Sequence, residues 1–568
     1  MDLLEASDAK PPRTTVFWIV VSVLFFSFSW LSSAFASYGS WKFGAARIEF
    51  WWIWDPGGAY LSNGINLFET NIRDLGFKGH PGLPLTVMIA VISRLYYWFS
   101  GARGHSIPYS LFAAKHLQSI ILFSRLAITG FHLLSFYVLF RFSVGLLKSR
   151  RASMIAVLGY ATSLFVLIFI NDISAEPFLL IFTLLALIWS RRIPELLSSG
   201  MKREAYLRAA LAGLVCVFAF YTKFMLAAPL LIFIPIFILG ARHHSDQGGW
   251  ENLKRRMPSL VIFSSSFLLV FALGTVLVNW RQVIKFWMEW APGRPQLTTS
   301  GPLANAWHLL VVSLPALAST ILDLKPGLPG INQQGIFTIL ESGFMLLSII
   351  GLAIYWKAHK PERAYLGWLI GLILLFVPIL THRGAWHYLV IHLAIAAVFF
   401  GYLIDRLALK FTKRYPVFSN SFVVAICFVL LVHSGSITLS AMIKWSDIVK
   451  ARRWTPYFAA LQQVSYDGHI GLIGKTEDLN EVSGTVTVYA MGTPLDQAFR
   501  QFFVQVDRET SSEDLAARKI QIILEKDQNG NVKVRPIQQA NSRSIPEFKP
   551  IPTRGTKTDR KVFQGAEF

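Results

Sequence analysis

The chain has 568 residues, of which 53% are hydrophobic and 15% charged, with a formal net charge of +21. So little charge over so long a chain excludes an ordinary soluble protein, and repeated apolar runs of roughly 20 residues have the length of a bilayer crossing. The Lys and Arg residues gather in short stretches between those runs, so the positive excess points to membrane topology and away from nucleic acid as a partner.

The first apolar run, Thr14–Ser37, is followed by no small-residue cleavage site and reads as a retained helix. An external segment, Tyr38–Ser119, comes next and is rich in Gly, Pro, Arg and aromatics. Its apolar piece Pro84–Trp98 is short for a span and is broken by Arg94, which predicts a juxtamembrane helix lying in the interface. Spans two to four are expected at Ile120–Phe140, Ala152–Ile170 and Pro177–Ser190. Spans five and six meet at Lys223, and span seven covers Leu260–Val278. A second long external segment, residues 279–334, holds Trp280, Arg281, Trp287, Glu289, Trp290 and Arg294. Spans eight and nine flank Lys357–Arg363, span ten starts near Trp386, and span eleven covers Phe422–Ile443.

From a cytoplasmic N-terminus, the basic clusters after spans two, four, six, eight and ten all fall inside, which sets the count at about eleven and leaves the C-terminus outside. The fold class is therefore an all-α polytopic membrane protein, residues 1–443, followed by a small external α/β domain, residues 444–568. In that domain Thr485–Tyr489 alternates like a strand, and Ile520–Leu524 and Val532–Arg535 flank a hairpin signal at Asp527–Asn531. Pro494–Phe503 is expected to be a helix, and from about Asn541 the composition is that of a disordered tail. Cys216 and Cys427 both lie inside apolar runs and imply neither a disulfide framework nor a thiolate metal site. The sequence carries no glycine-rich phosphate loop, no Cys/His metal spacing and no Gly-x-Ser-x-Gly elbow.

Four short motifs stand at the external ends of spans. Asp55 follows the first span in Phe50-Trp51-Trp52-Ile53-Trp54-Asp55-Pro56, with Tyr60 behind it. Gly79-His80-Pro81-Gly82-Leu83-Pro84 precedes the juxtamembrane helix. Glu176-Pro177-Phe178 opens span four, with Asp172 just before it, and Tyr221-Thr222-Lys223 joins spans five and six. A further stretch, His382-Arg383-Gly384-Ala385-Trp386-His387-Tyr388, leads into span ten.

In order, side and spacing these motifs resemble the GT-C superfamily of membrane glycosyltransferases, over Trp18–Tyr402 in layout. The closer match is to the branch of the lipid A aminoarabinose transferases and protein O-mannosyltransferases. The resemblance implies an inverting transfer of a sugar from a polyprenyl-phosphate-linked donor to a lipid, glycan or protein acceptor on the external face of the membrane; the lack of a disulfide framework and of Asn-x-Ser/Thr sequons favours a bacterial inner membrane, and with it a periplasmic site. It implies catalytic roles for Asp55 and Glu176, with Asp172 the alternative second acid. Donor-phosphate binding falls to Lys223, Arg383, His387 and Tyr388, and contacts to acceptor or phosphate fall to His80, Tyr60 and Asp172. The family often has Asp-Glu where this chain has Asp55-Pro56, so no cofactor is fixed and a divalent metal stays open.

Each residue also has a plainer reading. Asp55 before Pro56 suits a helix cap, Glu176 suits a helix N-terminal dipole, and Lys223 and Arg94 suit snorkelling to the interface. A non-enzymatic lipid or solute transporter is the competing function, although such proteins show two related halves that are not visible here. A polymerase or ligase for lipid-linked glycans would share the architecture.

Overall fold

The computed structural model describes residues 16–27, 57–69, 82–163, 173–240, 249–275, 278–285, 333–383, 390–414, 421–432, 460–473, 494–526 and 532–537, apart from a few single positions, and also residue 166. The chain forms two compact units: Met1–Ser29 with Lys78–Leu85 and Arg125–Ala441, and Trp30–Phe77 with Thr86–Ser124 and Met442–Phe568.

The first unit is a helical bundle. Its elements are α1 (Val16–Phe25), α5 (Leu117–Leu147), α6 (Arg150–Ala161), α7 (Glu176–Arg191), α8 (Ile193–Ser198), α9 (Lys202–Thr222), α10 (Phe224–Gly240), α11 (Gly249–Thr275), α12 (Gln333–Ala358), α13 (Arg363–Arg383) and α14 (Val390–Arg414). Three elements of the second unit precede α5 in the chain: α2 (Gly57–Asn66), α3 (Leu83–Phe99) and α4 (Tyr109–Lys115); the two units share α3 and α5, whose residues up to Ser124 belong to the second.

Five helices among the described residues are long and apolar enough to cross a membrane, over Ser119–Leu147, Glu176–Ser198, Lys202–Thr222, Leu253–Thr275 and Val390–Lys410. The expected count of eleven is therefore not met by the described residues. The other apolar helices, Val16–Phe25, Leu83–Phe99, Leu226–Gly240, Gly343–Ala358 and Arg363–Ile373, are described over 10–17 residues. At 1.5 Å per residue the 17 residues of Leu83–Phe99 reach only about 26 Å, short of a hydrocarbon core of about 30 Å, whereas the full helices α12 and α13, of 26 and 21 residues, reach about 39 and 32 Å. For Leu83–Phe99 this agrees with an interfacial rather than a crossing helix.

Glycines set the closest helix crossings. A Cβ on Gly213 of α9 would lie 2.4 Å from the Phe263 carbonyl oxygen of α11, and one on Gly401 of α14 would lie 2.4 Å from that of Ala152 on α6. Small residues let backbones approach, which is how helices gain packing where lipid offers no hydrophobic drive between them.

The inter-helix basic loops meet at one end of the bundle. Arg191 pairs with Glu362 at 2.6 Å and covers the Tyr365 ring. Arg151 pairs with Asp405, which also accepts from Ser149 Oγ at 3.0 Å. Tyr355 Oη donates to the Leu146 carbonyl at 2.7 Å. The expected alternation of basic loops thus has a structural counterpart in shared contacts at this basic end.

The second unit joins the first loop to the C-terminal region. Its further elements are β1 (His469–Ile473), α15 (Pro494–Phe502), β2 (Phe503–Gln505), α16 (Ser512–Ala517), β3 (Ile520–Lys526) and β4 (Val532–Pro536). The sheet order is β2-β1-β3-β4, with β1 parallel to both neighbours and β3 antiparallel to β4. This is the expected hairpin and α/β class; the expected strand Thr485–Tyr489 lies outside the described residues. Helix α15 buries Leu495, Ala498, Phe499 and Phe502, a one-sided i, i+3, i+4, i+7 stripe, and packs against α2 and α4. The first loop and the C-terminal domain therefore share one core.

Within the loop, α2 crosses α3 closely: a Cβ on Gly64 would lie 2.6 Å from the Ile89 side chain. Helix α3 buries Leu85, Ile89, Ala90 and Ser93 but exposes Val87, Val91, Leu95, Trp98 and Phe99 along the other face.

Candidate functional site

Helix α9 ends at Thr222 and α10 starts at Phe224, so Lys223 alone makes the turn. Its φ of −147° and ψ of 89° break the helix, its N–H donates to the Ala219 carbonyl, and its own carbonyl accepts from Leu226 and Ala227. The two helices then run in opposite directions. Tyr221 lies against Gly274 near the end of α11, while Arg256 near the start of α11 donates to the carbonyl of Leu239 at the end of α10. Lys223 therefore sits at the far end of the bundle, away from the basic end.

The first turn of α7 is at the same place. Pro177 near its start suits a position whose N–H needs no helical partner, and Glu176 suits the positive end of the helix dipole. The Glu176 carboxylate accepts a hydrogen bond from the Lys223 ammonium, and the two side chains are only 3% and 2% exposed. A lone charge at this depth would be costly, and each member offsets the other's charge.

A third motif joins them. Gly82 has φ +51°, a left-handed backbone that favours glycine, and its N–H donates to the Thr222 carbonyl at 3.3 Å. Leu83 then packs into a cluster formed by Val217, Tyr221, Val278 and Val283. Tyr221 Oη donates to the Phe271 carbonyl at 2.5 Å. Trp280, at the start of the second long loop, contacts the rings of Phe220, Tyr221, Phe224 and Phe271.

Three of the four motifs thus converge: Gly82-Leu83, Glu176-Pro177 and Tyr221-Thr222-Lys223. Asp55, His80, Asp172, His387 and Tyr388 lie outside the described residues. Arg383 is the last residue of α13, with its side chain outside the described set. Tyr60 is fully buried within the loop unit.

Sequence reasoning passed over ionisable residues inside the bundle. Arg125 and His132, both 1% exposed, lie on α5 with Thr129 between them on one face, and His392 lies buried near the start of α14. The signal was present, since an Arg or His inside a bilayer-length apolar run marks a functional candidate. Aromatic rings adjoin this face: His132 contacts the Phe136 ring, and Phe136 contacts Tyr160.

Chemically, the pair offers a carboxylate able to take a proton and an ammonium able to meet an anion. Among the described residues no three His, Cys, Asp or Glu side chains gather as metal ligands, and the Glu176 carboxylate is engaged with Lys223. The described donors do not fit a divalent metal. No family model matches the chain, and no characterised protein matches it either.

Proposed function

We propose that this protein is a membrane glycosyltransferase that moves a sugar from a polyprenyl-phosphate-linked donor to a lipid, glycan or protein acceptor. The observation that carries the reading is the convergence at one bundle end of Gly82-Leu83, Glu176-Pro177 and Tyr221-Thr222-Lys223, motifs far apart in the chain. These are three of the motifs on which the GT-C resemblance rests. The basic end is taken as cytoplasmic, by the positive-inside rule, so the site faces the periplasm of a bacterial inner membrane.

The transfer needs the acceptor hydroxyl to lose its proton as its oxygen bonds to the anomeric carbon. The bond from that carbon to the phosphate oxygen breaks, and the phosphate leaves with the electron pair. Asp55 is the base in this reading, worth about 10²–10⁴-fold. Lys223 meets the charge growing on the phosphate, and Glu176 holds the ammonium in place until the donor arrives. Arg383, His387 and Tyr388 belong to the same proposed phosphate site, and His80, Tyr60 and Asp172 to proposed acceptor contacts.

The test is transfer in proteoliposomes from a labelled polyprenyl-phosphate pentose or hexose to a lipid acceptor. Transfer that disappears in Asp55→Asn supports the reading, and near-normal turnover in that variant returns Asp55 to a capping role. A second reading, a lipid or solute transporter, is favoured by Arg125, His132 and His392 inside the bundle. Movement of intact lipid across the bilayer with no sugar transfer would select it.

A further inference from the structure

Lys223 is already committed to Glu176, and a neutral pair is a poor receptor for a phosphate. A second cation is needed, and the fold supplies one. The Phe131 ring of α5 meets the Phe178 ring of α7 at a tilt, with centroids 4.1 Å apart, while Gly145 near the other end of α5 lies against Arg191 at the end of α7. The two helices therefore run side by side in the same direction. Arg125 lies six residues before Phe131, and Glu176 two before Phe178, so at 1.5 Å per residue Arg125 stands about 6 Å further toward the far end than Glu176. Arg125 therefore stands at the same end of the bundle as the Glu176–Lys223 pair, about one helical turn beyond it.

We propose that Arg125 is a second phosphate-binding cation, placed with Lys223 to hold the headgroup of a lipid phosphate within the bundle. The proposal rests on the glycosyltransferase reading for the choice of ligand. Arg125 is 1% exposed on a bilayer-length helix, where a permanent charge is kept for a partner or a ligand. Its guanidinium has five N–H donors in a planar fork, so it can keep a protein partner and still bind two phosphate oxygens. Thr129 and His132 continue the same buried face of α5 toward the Phe136–Tyr160 contact. The buried polar face of α5 thus begins with Arg125 at the far end of the bundle.

The experiment is ligand-induced thermal stabilisation of the full chain in detergent, with three probes: a long-chain polyprenyl phosphate, the uncharged polyprenol and inorganic phosphate. Arg125→Gln is expected to weaken the lipid phosphate by about tenfold or more, the loss of a charge-assisted bond, and to leave polyprenol binding unchanged. Arg125→Lys is expected to fall between, because it keeps the charge and loses the fork. Unchanged lipid-phosphate affinity in Arg125→Gln, or equal loss of polyprenol, overturns the proposal and makes Arg125 a packing or pairing residue. Inorganic phosphate binding as tightly as the lipid overturns the lipid as ligand. If Arg125→Gln does not fold, an unchanged phosphate-to-polyprenol preference in Arg125→Lys also overturns it. No sugar is present in this assay. Failure of wild-type sugar transfer would thus remove the glycosyltransferase reading while leaving Arg125-dependent binding standing.

Discussion

Asn66 caps a helix that lies 429 residues further along the chain: its Oδ1 accepts from the Leu495 N–H at 3.1 Å. Leu495 is in the first turn of α15, where backbone N–H groups have no helical partner. The same Asn66 amide donates from Nδ2 to the Ser62 carbonyl at 2.8 Å, so the side chain is held from its own helix. Because Asn66 is buried, its loss leaves the Leu495 N–H with no water to turn to. Asn66→Ala should cost about 1–3 kcal/mol, a lost cap plus an unsatisfied donor. Limited proteolysis across residues 494–526 of the full chain reads this. Equal protection in the variant would show that α15 does not depend on the loop.

How much of this was legible in the sequence varies with the range of the interaction. The hairpin β3–β4 and helix α15 follow from local period and turn residues, and both came out at nearly the expected bounds. The Leu83–Phe99 helix did too, because Arg94 and its short length argue against crossing; Arg94 in fact pairs with Glu69 at 2.5 Å. What local pattern cannot show is pairing at a distance. Nothing local links Asn66 to Leu495, or tells that Glu176 and Lys223, each assigned its own role, hold one another. Strands β1 and β2 were missed because each is too short for alternation to stand out, and parallel pairing needs no adjacent turn.

The close crossings predict opposite outcomes for two glycine substitutions in helices. Gly213→Ala would place its Cβ 2.2 Å from Ser266 Oγ and 2.4 Å from the Phe263 carbonyl oxygen, and backbone cannot step aside as a side chain can. It should destabilise the bundle by about 1–3 kcal/mol, the usual cost of overpacking. Gly130→Ala, with nothing within 4 Å, should be neutral or stabilising by up to about 1 kcal/mol. Thermal unfolding of both in the same detergent decides, and equal melting temperatures would mean that α9 and α11 part easily.

The loop unit should weaken in mild acid. His116 Nε2 bonds Tyr466 Oη at 2.7 Å, its ring lies 4.4 Å from that of Phe112, and Tyr96 meets it edge-on. Beside it, Lys115 donates to the Val464 carbonyl and lies over the Tyr466 ring. Burial, then the neighbouring Lys115 charge, lower the His116 pKa below the ordinary 6.5. The unfolded state then binds the proton more readily, so this stability is full above pH 6.5 and is lost as pH falls through the depressed folded value. Asp467, itself bonded to Lys519, is the acidic group facing Lys115, and burial lowers the Lys115 pKa more than Asp467 raises it. His116→Gln should flatten the decline in protease resistance of the loop unit between about pH 6.5 and 5. An unchanged slope in that variant would place the acid sensitivity elsewhere.

The Glu176–Lys223 pair allows structure and chemistry to be separated. Both side chains are almost wholly buried, so removing one leaves the other charged in a medium that solvates it poorly. Glu176→Gln and Lys223→Met should each destabilise the bundle by about 3–5 kcal/mol. The double variant removes both charges and should recover most of that loss, to within about 1 kcal/mol of the parent, giving a coupling of about 5–9 kcal/mol in a double-mutant cycle. Thermal unfolding of the four proteins gives the coupling directly, and additive losses would mean that the two groups act independently. The same four proteins also test the functional reading. If Lys223 serves only to neutralise Glu176, the recovered double variant should also recover lipid-phosphate binding. If Lys223 meets the donor phosphate, the double variant should be folded and yet bind lipid phosphate about tenfold or more weakly, since its stable bundle no longer presents the ammonium.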